Sequence, residues 1–260
     1  MNILNQFSLK GKVALLTGGA GLYGRQIVAA LAEAGAATYL ASRDVKALEA
    51  VACEHRKLGR SVTVLKLDQS KEASILALRD EIVKRAGRVD VLVNNAVLRP
   101  MKKGFQDSAA TFAESMEVNA TGLFLITRAM GDLMAERKQG SIINIGSIQG
   151  MVGPDPTIYR GTDISGWYPD YFFHKGGMIN FTRFIASYYG AEGVRCNCVS
   201  PGGFLAEQSG PFVRQYSDRT FLGRLANESD LKGIVVFLAS DTSAYITGTN
   251  IPVDGGYTAK

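Results

Sequence analysis

The chain has 260 residues, 46% of them hydrophobic, with 29 glycines and a net charge of +5. That length can bury one sizeable core. The basic residues are scattered and form no Lys/Arg cluster interleaved with aromatics, which argues against nucleic acid and suits an anionic small-molecule partner. No apolar run approaches the roughly 20 residues of a membrane span. Residues 1–10 lack the marks of a signal peptide, and Cys53, Cys196 and Cys198 are too few and too apolar in context for a disulfide framework or a metal site. A cytoplasmic protein with no metal and no membrane partner is therefore expected.

Taken in order, the chain alternates between two patterns. Residues 12–17 (KVALLT) are a short apolar run ending in glycines, and Ile27, Leu31 and Ala34 follow at helical spacing within 22–34. The alternation recurs with TYLAS (38–42) and a helix from Asp44, then VTVLKL (62–67) and a helix from about Lys71. VDVLVNN (89–95) precedes a long helical segment from about Ser108, and SIINIGS (141–147) follows it. Cys196 and Cys198 alternate in a further strand-like run, before a closing helix over 227–239 and a strand over 250–253. Strands alternating with helices predict an α/β fold: one doubly wound, Rossmann-like domain over residues 1–260, its central parallel sheet flanked by helices. Ligands are expected beyond the carboxyl ends of the strands.

The turn after the first strand reads TGGAGLYG (17–24). Gly19, Gly21 and Gly24 fit the G-x-G-x-x-G fingerprint, in which missing side chains let the backbone approach a pyrophosphate at a helix N-terminus. A glycine turn can be purely structural; its place between a strand and a helix points to a dinucleotide. Gly18, Gly19, Gly21, Tyr23 and Gly24 are the candidate contacts. The end of the second strand, Ser42-Arg43-Asp44, bears on which dinucleotide. A hydroxyl followed by arginine suits the 2′-phosphate of NADP, with Asp44 capping the next helix. The alternative is a solvated Arg43 and an Asp44 turned inward to read NAD.

Further on stands Asp170-Tyr171-Phe172-Phe173-His174-Lys175, at the start of a long apolar helix. Residues four apart share a helix face, so Tyr171 and Lys175 project side by side. A cation held near a phenol stabilises the phenolate and turns the tyrosine into a proton carrier at neutral pH. His174 is expected to turn away from that face, and His55, in a charged helix, to be solvated.

Together these features resemble the short-chain dehydrogenase/reductase family, from about Leu9 to Tyr257. The resemblance is carried by TGGAGLYG, Asp68 after the third strand, NNA (94–96), Asn119 in VNATG, Ser147 in GSIQG, the Tyr171/Lys175 pair, Pro201-Gly202 and VDGGY (253–257). It implies hydride transfer between a nicotinamide and a secondary alcohol or ketone. Tyr171 would exchange the hydroxyl proton, Ser147 would bond the substrate oxygen, Lys175 would acidify the tyrosine and grip the nicotinamide ribose, and Asn119 would anchor a relay water. By the same resemblance Asp68 and Gln69 flank the adenine, Asn95 and Ala96 line the riboses, and Pro201, Gly202 and Phe204 border the nicotinamide. Without the family pattern, Asn119 could simply satisfy a helix kink, Ser147 cap a strand and Asp68 sit in a turn. Relatives with this ending assemble as homotetramers.

The chain also departs from the pattern. Leu22 stands where a glycine is usual, Val97 replaces the glycine after NNA, and Ala206 stands at a common threonine. The longest departure is an insertion over 148–170, MVGPDPTIYRGTDISGWYPD from Met151, where Pro154 and Pro156 oppose regular structure. Its aromatics Tyr159, Trp167 and Tyr168, with Gln149, Arg160 and Asp163, suit a polyhydroxylated substrate, and Arg99 or Arg160 could hold a carboxylate. The aromatics could equally just tether the loop. Residues 204–227 lack periodicity and are expected to form a lid. A dehydrogenase of a sugar, sugar acid or nucleotide-sugar precursor is the favoured reading. A 3-oxoacyl-carrier-protein reductase and a non-catalytic dinucleotide sensor are the alternatives.

Overall fold

The structure is a computed structural model and describes residues 2–162 and 167–259. After a short helix α1 (Ile3–Gln6), seven strands build one sheet: β1 (Val13–Thr17), β2 (Ala37–Ser42), β3 (Val62–Lys66), β4 (Val91–Asn94), β5 (Gly140–Ile145), β6 (Val194–Pro201) and β7 (Asn250–Val253). Their order is β3-β2-β1-β4-β5-β6-β7, and every pairing is parallel. The chain winds outward from β1 to β3, then returns to place β4 on the other side of β1. This reversal opens a crevice at the carboxyl ends of β1 and β4.

Each crossover is covered by helices: α2 (Leu22–Glu33), α3 (Val45–Lys57), α4 (Glu72–Ala86), α5 (Ala109–Met116), α6 (Leu123–Glu136), α7 (Pro169–Tyr189), α8 (Gly210–Ser217) and α9 (Lys232–Ala239). Because successive strand residues face opposite ways, β1 feeds two cores. Ala14 and Leu16 join Ile27, Leu31, Leu48 and Val235 on one face. Val13 and Leu15 join Ile75, Ile82, Ile126 and Met130 on the other. A smaller third cluster, Ile148, Ile158, Phe212, Tyr216 and Leu225, binds residues of the 148–170 insertion to the 204–227 segment.

Several predicted boundaries shift for local reasons. The strand expected from residue 89 begins pairing at Val91, because the Asp90 carboxylate accepts the Val13 amide at 2.7 Å and Arg88 Nε at 2.9 Å. The segment from Ser108 is two helices joined by a π-helical turn, Glu117–Gly122. The closing helix starts at Lys232, since Asn227 and Asp230 form a turn in which Asp230 accepts the Asn227 amide at 2.7 Å and Asn227 accepts the Ser229 amide at 2.9 Å. His55 is buried rather than solvated, its Nδ1 2.9 Å from Arg60 Nη1. Cys196 and Cys198 are buried, Cys53 is exposed, and all three are free thiols.

Candidate active site

The first glycine turn closes the crevice from one side. Gly18 has φ 71°, and a Cβ there would lie 2.9 Å from Ala96 Cα; at Gly24 it would lie 2.4 Å from the Gly18 carbonyl oxygen. Side chains at either position would force the turn apart. At Gly21 nothing lies within 4 Å of a built Cβ, and no side chain caps the N-terminus of α2, so free N–H groups face the cleft. These residues fit the pyrophosphate of a dinucleotide. The exposed Leu22, where a glycine is usual, begins the helix without filling this space.

Thr17 holds the two sides of the crevice together. Its hydroxyl accepts the amides of Asn95 at 3.1 Å and Ala96 at 3.0 Å, while Asn95 Nδ2 donates to the carbonyls of Thr17 and Gly18. Tyr23 donates its hydroxyl to the Gly202 carbonyl at 2.7 Å and sits edge-on to Phe204. It therefore clasps the glycine turn to the segment beyond β6. Ser42, Arg43, Asp68 and Gln69 line an adjoining depression with Ala96. The Asp44 carboxylate caps α3 by accepting the Ala47 amide at 2.9 Å, and the Ser42 hydroxyl donates to the Asp44 carbonyl. Hydrogen bonds from the Ser70 hydroxyl and amide hold the Asp68 carboxyl below the usual range.

The cleft that continues from this depression is about 600 Å³. At its inner end Ser147, Tyr171 and Lys175 converge. Ser147 leaves β5 as the cap of a 3-10 turn, accepting the Gln149 amide at 3.1 Å, and lines the cleft with Tyr171. Lys175 is buried; its ammonium donates to the Ile145 carbonyl at 2.5 Å and lies 5.7 Å from the centre of the Tyr171 ring. Burial by itself raises the Tyr171 pKa, but Lys175, Arg99 and the polar Ser147 hydroxyl outweigh it and hold the phenol below its ordinary value. Lys175 is likewise lowered, by burial first, against the opposing pull of Tyr171.

Asn119 lies in the π-helical turn, a distortion that aims its side chain at the loop after β4. Its Oδ1 accepts the Leu98 amide at 2.9 Å and its Nδ2 donates to the Leu98 carbonyl at 2.7 Å and to Ser115 Oγ at 3.0 Å. Ser115 in turn donates to the buried Asp170 carboxylate, beside Tyr171.

Of the residues expected to meet substrate, Arg99, Gln149 and Tyr159 line the cleft. Arg160 and Trp167 stand apart from its wall: Arg160 is exposed, its carbonyl accepting from Gln215, and the half-exposed Trp167 lies by Gly104. Asp163 falls outside the described residues. The sequence reading missed Gln208, Phe212 and Tyr216, which face Ser147 across the cleft from the 204–227 segment. Tyr216 accepts the Gly203 amide at 2.5 Å and stacks on Tyr257. No periodicity marks these residues; only the aromaticity of Phe212 and Tyr216 could have singled any of them out, and nothing marks Gln208.

A parallel sheet with its reversal between β1 and β4, a glycine turn at that point, and a Ser-Tyr-Lys group beside it define a dinucleotide-dependent oxidoreductase. The family profile described as enoyl-(acyl carrier protein) reductase matches residues 21–258. The galactitol 2-dehydrogenase (L-tagatose-forming) of Cereibacter sphaeroides is 30% identical, with 99% of each chain covered. The 3-oxoacyl-[acyl-carrier-protein] reductase of Aquifex aeolicus is 31% identical over 96% of this chain and 99% of its own. Among solved structures, a gluconate 5-dehydrogenase from Burkholderia cenocepacia in complex with NADP and tartrate superposes with a TM-score of 0.89, at 29% identity over the full length of both chains. The chain belongs to the short-chain dehydrogenase/reductase family, and its activity is NAD(P)-dependent oxidoreduction of CH–OH groups.

Proposed function

We propose that the protein is a cytoplasmic dehydrogenase of a sugar or sugar acid, with NADP preferred over NAD. The observation that carries this reading is the cleft beyond Tyr171, where Ser147, Gln149 and Arg99 offer a hydroxyl, an amide and a guanidinium to a ligand rich in oxygen. A bound nicotinamide dinucleotide would accept the hydride of the alcohol carbon, or return it in the reductive direction. The protein's task is to hold the alcohol oxygen between Ser147 and Tyr171 and to move its proton through the phenol. Lys175 keeps Tyr171 ionisable, and Asn119 joins Leu98 to the Ser115–Asp170 pair behind it.

The cofactor preference rests on Ser42 and Arg43 at the rim and on Asp44 being occupied as a helix cap. The galactitol and gluconate dehydrogenases among its relatives support a carbohydrate-type substrate. The 148–170 insertion and the 204–227 segment act as one wall over that substrate. Arg219 ties them by an ion pair to Asp155 at 3.1 Å and a hydrogen bond to Thr157 at 2.6 Å. The whole chain is one catalytic domain that assembles as a homotetramer.

The test is a panel of polyols, sugar acids and keto-sugar acids run with both cofactors, followed by absorbance of the reduced nicotinamide. Turnover of sugar acids with NADP is expected. Turnover of acyl thioesters alone would transfer the protein to the carrier-protein reductases.

A further inference from the structure

Arg99 stands out in the charge pattern of the site. Its guanidinium carbon lies 4.2 Å from the centre of the Tyr171 ring, and its charge favours the phenolate. It lines the cleft, and among the described residues no carboxylate comes within ion-pair distance of it. The phenol therefore feels two cations, and they differ in one respect. Lys175 is 3% exposed and its ammonium is bonded to Ile145, whereas Arg99 is exposed in the cleft, where a ligand can reach it.

We propose that Arg99 couples the binding of an anionic substrate group, a carboxylate near the reacting carbon, to the proton affinity of Tyr171. With no anion in the cleft, the guanidinium's field favours the phenolate. An anion paired with Arg99 cancels that field, and the phenol then holds its proton more tightly. By linkage, the protonated phenol binds the anion more tightly in return.

The other groups facing Tyr171 cannot make this response. From α7 itself come Lys175 and His174, the latter with its ring 5.2 Å away and edge-on. Burial and the two cations hold His174 neutral, its pKa lowered to about 3. From the end of β5 comes the uncharged Ser147, and from α2 comes Tyr23, whose hydroxyl is taken by Gly202 and whose pKa burial raises. The consequence is a catalyst that distinguishes substrates by charge. A neutral polyol leaves Tyr171 a weaker base, while a hydroxy acid makes it a stronger one at the moment it must take the alcohol proton.

The purpose of this coupling rests on the proposed sugar-acid substrate, but its measurement needs no turnover. Tyr171 ionisation is read as the ultraviolet difference between the protein and its Tyr171→Phe variant across alkaline pH, with and without tartrate, in the wild-type, Arg99→Gln and Arg99→Lys backgrounds. Arg99→Gln is expected to raise the midpoint by roughly one pH unit, and Arg99→Lys to recover part of that shift. Tartrate is expected to raise the midpoint in the wild type and leave Arg99→Gln unmoved, and its affinity to weaken as pH rises through the wild-type midpoint. Equal midpoints in wild type and Arg99→Gln, a tartrate shift that survives Arg99→Gln, or failure of the wild type to bind tartrate overturns the proposal. Should the shifts appear while no sugar acid turns over, the sugar-acid reading falls and the coupling stands. Unchanged far-ultraviolet circular dichroism shows that each variant is folded.

Discussion

Tyr171 and His174 share one turn of α7, and their environments push them toward opposite tasks. Tyr171 is held ionisable by its neighbours. Replacing it with Phe keeps ring and packing but removes the proposed proton carrier, so turnover is expected to fall by roughly 10²–10⁴ or more. Dinucleotide binding, followed by fluorescence titration, is expected to change little. His174 is 4% exposed, and neither ring nitrogen finds a partner among the described residues. Burial first, then Lys175 and Arg99, lower its pKa from 6.5 to about 3. The unfolded chain therefore binds the extra proton throughout that window. Stability falls as pH drops below 6.5, by up to about 1.4 kcal/mol per pH unit, and the loss levels off near the folded value. In denaturant titrations His174→Leu is expected to flatten this dependence between roughly pH 4 and 6; an unchanged slope would show that another group dominates it.

Among the elements, the glycine turn and the wall over the cleft make separate demands. A methyl at Gly24 would meet the Gly18 carbonyl oxygen at 2.4 Å and Gly19 backbone at 2.9 Å, and backbone cannot swing aside as a flexible side chain does. Gly24→Ala is expected to cost about 1–3 kcal/mol in urea unfolding and to weaken dinucleotide binding, because the turn itself must move. The Arg219–Asp155 tie behaves differently. Both side chains are partly solvated, so Arg219→Ala is expected to change stability by less than about 1 kcal/mol. Loosening the insertion from the 204–227 segment is expected instead to raise KM for substrate while leaving dinucleotide affinity in place. Steady-state kinetics with each ligand varied in turn separates the two effects.

At the scale of the whole molecule, α7 carries an aromatic strip on its outer face. Phe181, Phe184 and Tyr188 stack in series with ring centres 6.2 and 5.9 Å apart, and Phe184 and Tyr188 are 58% and 65% exposed. An exposed apolar patch of this kind suits burial against another copy. On the proposed homotetramer, Phe184→Glu is expected to lower the mass measured by light scattering, with the monomer still folded; an unaltered mass, or a monomeric wild type, would sink this assignment of the strip.

The parallel sheet, the glycine turn and the Tyr171–Lys175 pair were all legible along the chain, because each is written in local spacing: alternation for strands, missing side chains for the turn, four residues for a shared helix face. Element ends were less legible where one side chain decided them, as Asp90 does at β4 and Asp230 before α9. The insertion could be seen, yet which of its residues reach the cleft could not, since Gln149 turns in while Arg160 and Trp167 stay out. The sequence by itself determined the strand order's raw material and the chemistry available to the site. Only the tertiary structure decided that Arg99 lies over Tyr171 and that Phe212 and Tyr216 close the cleft. Those contacts join residues far apart in the chain, and the packing that unites them leaves no periodic trace in any one segment.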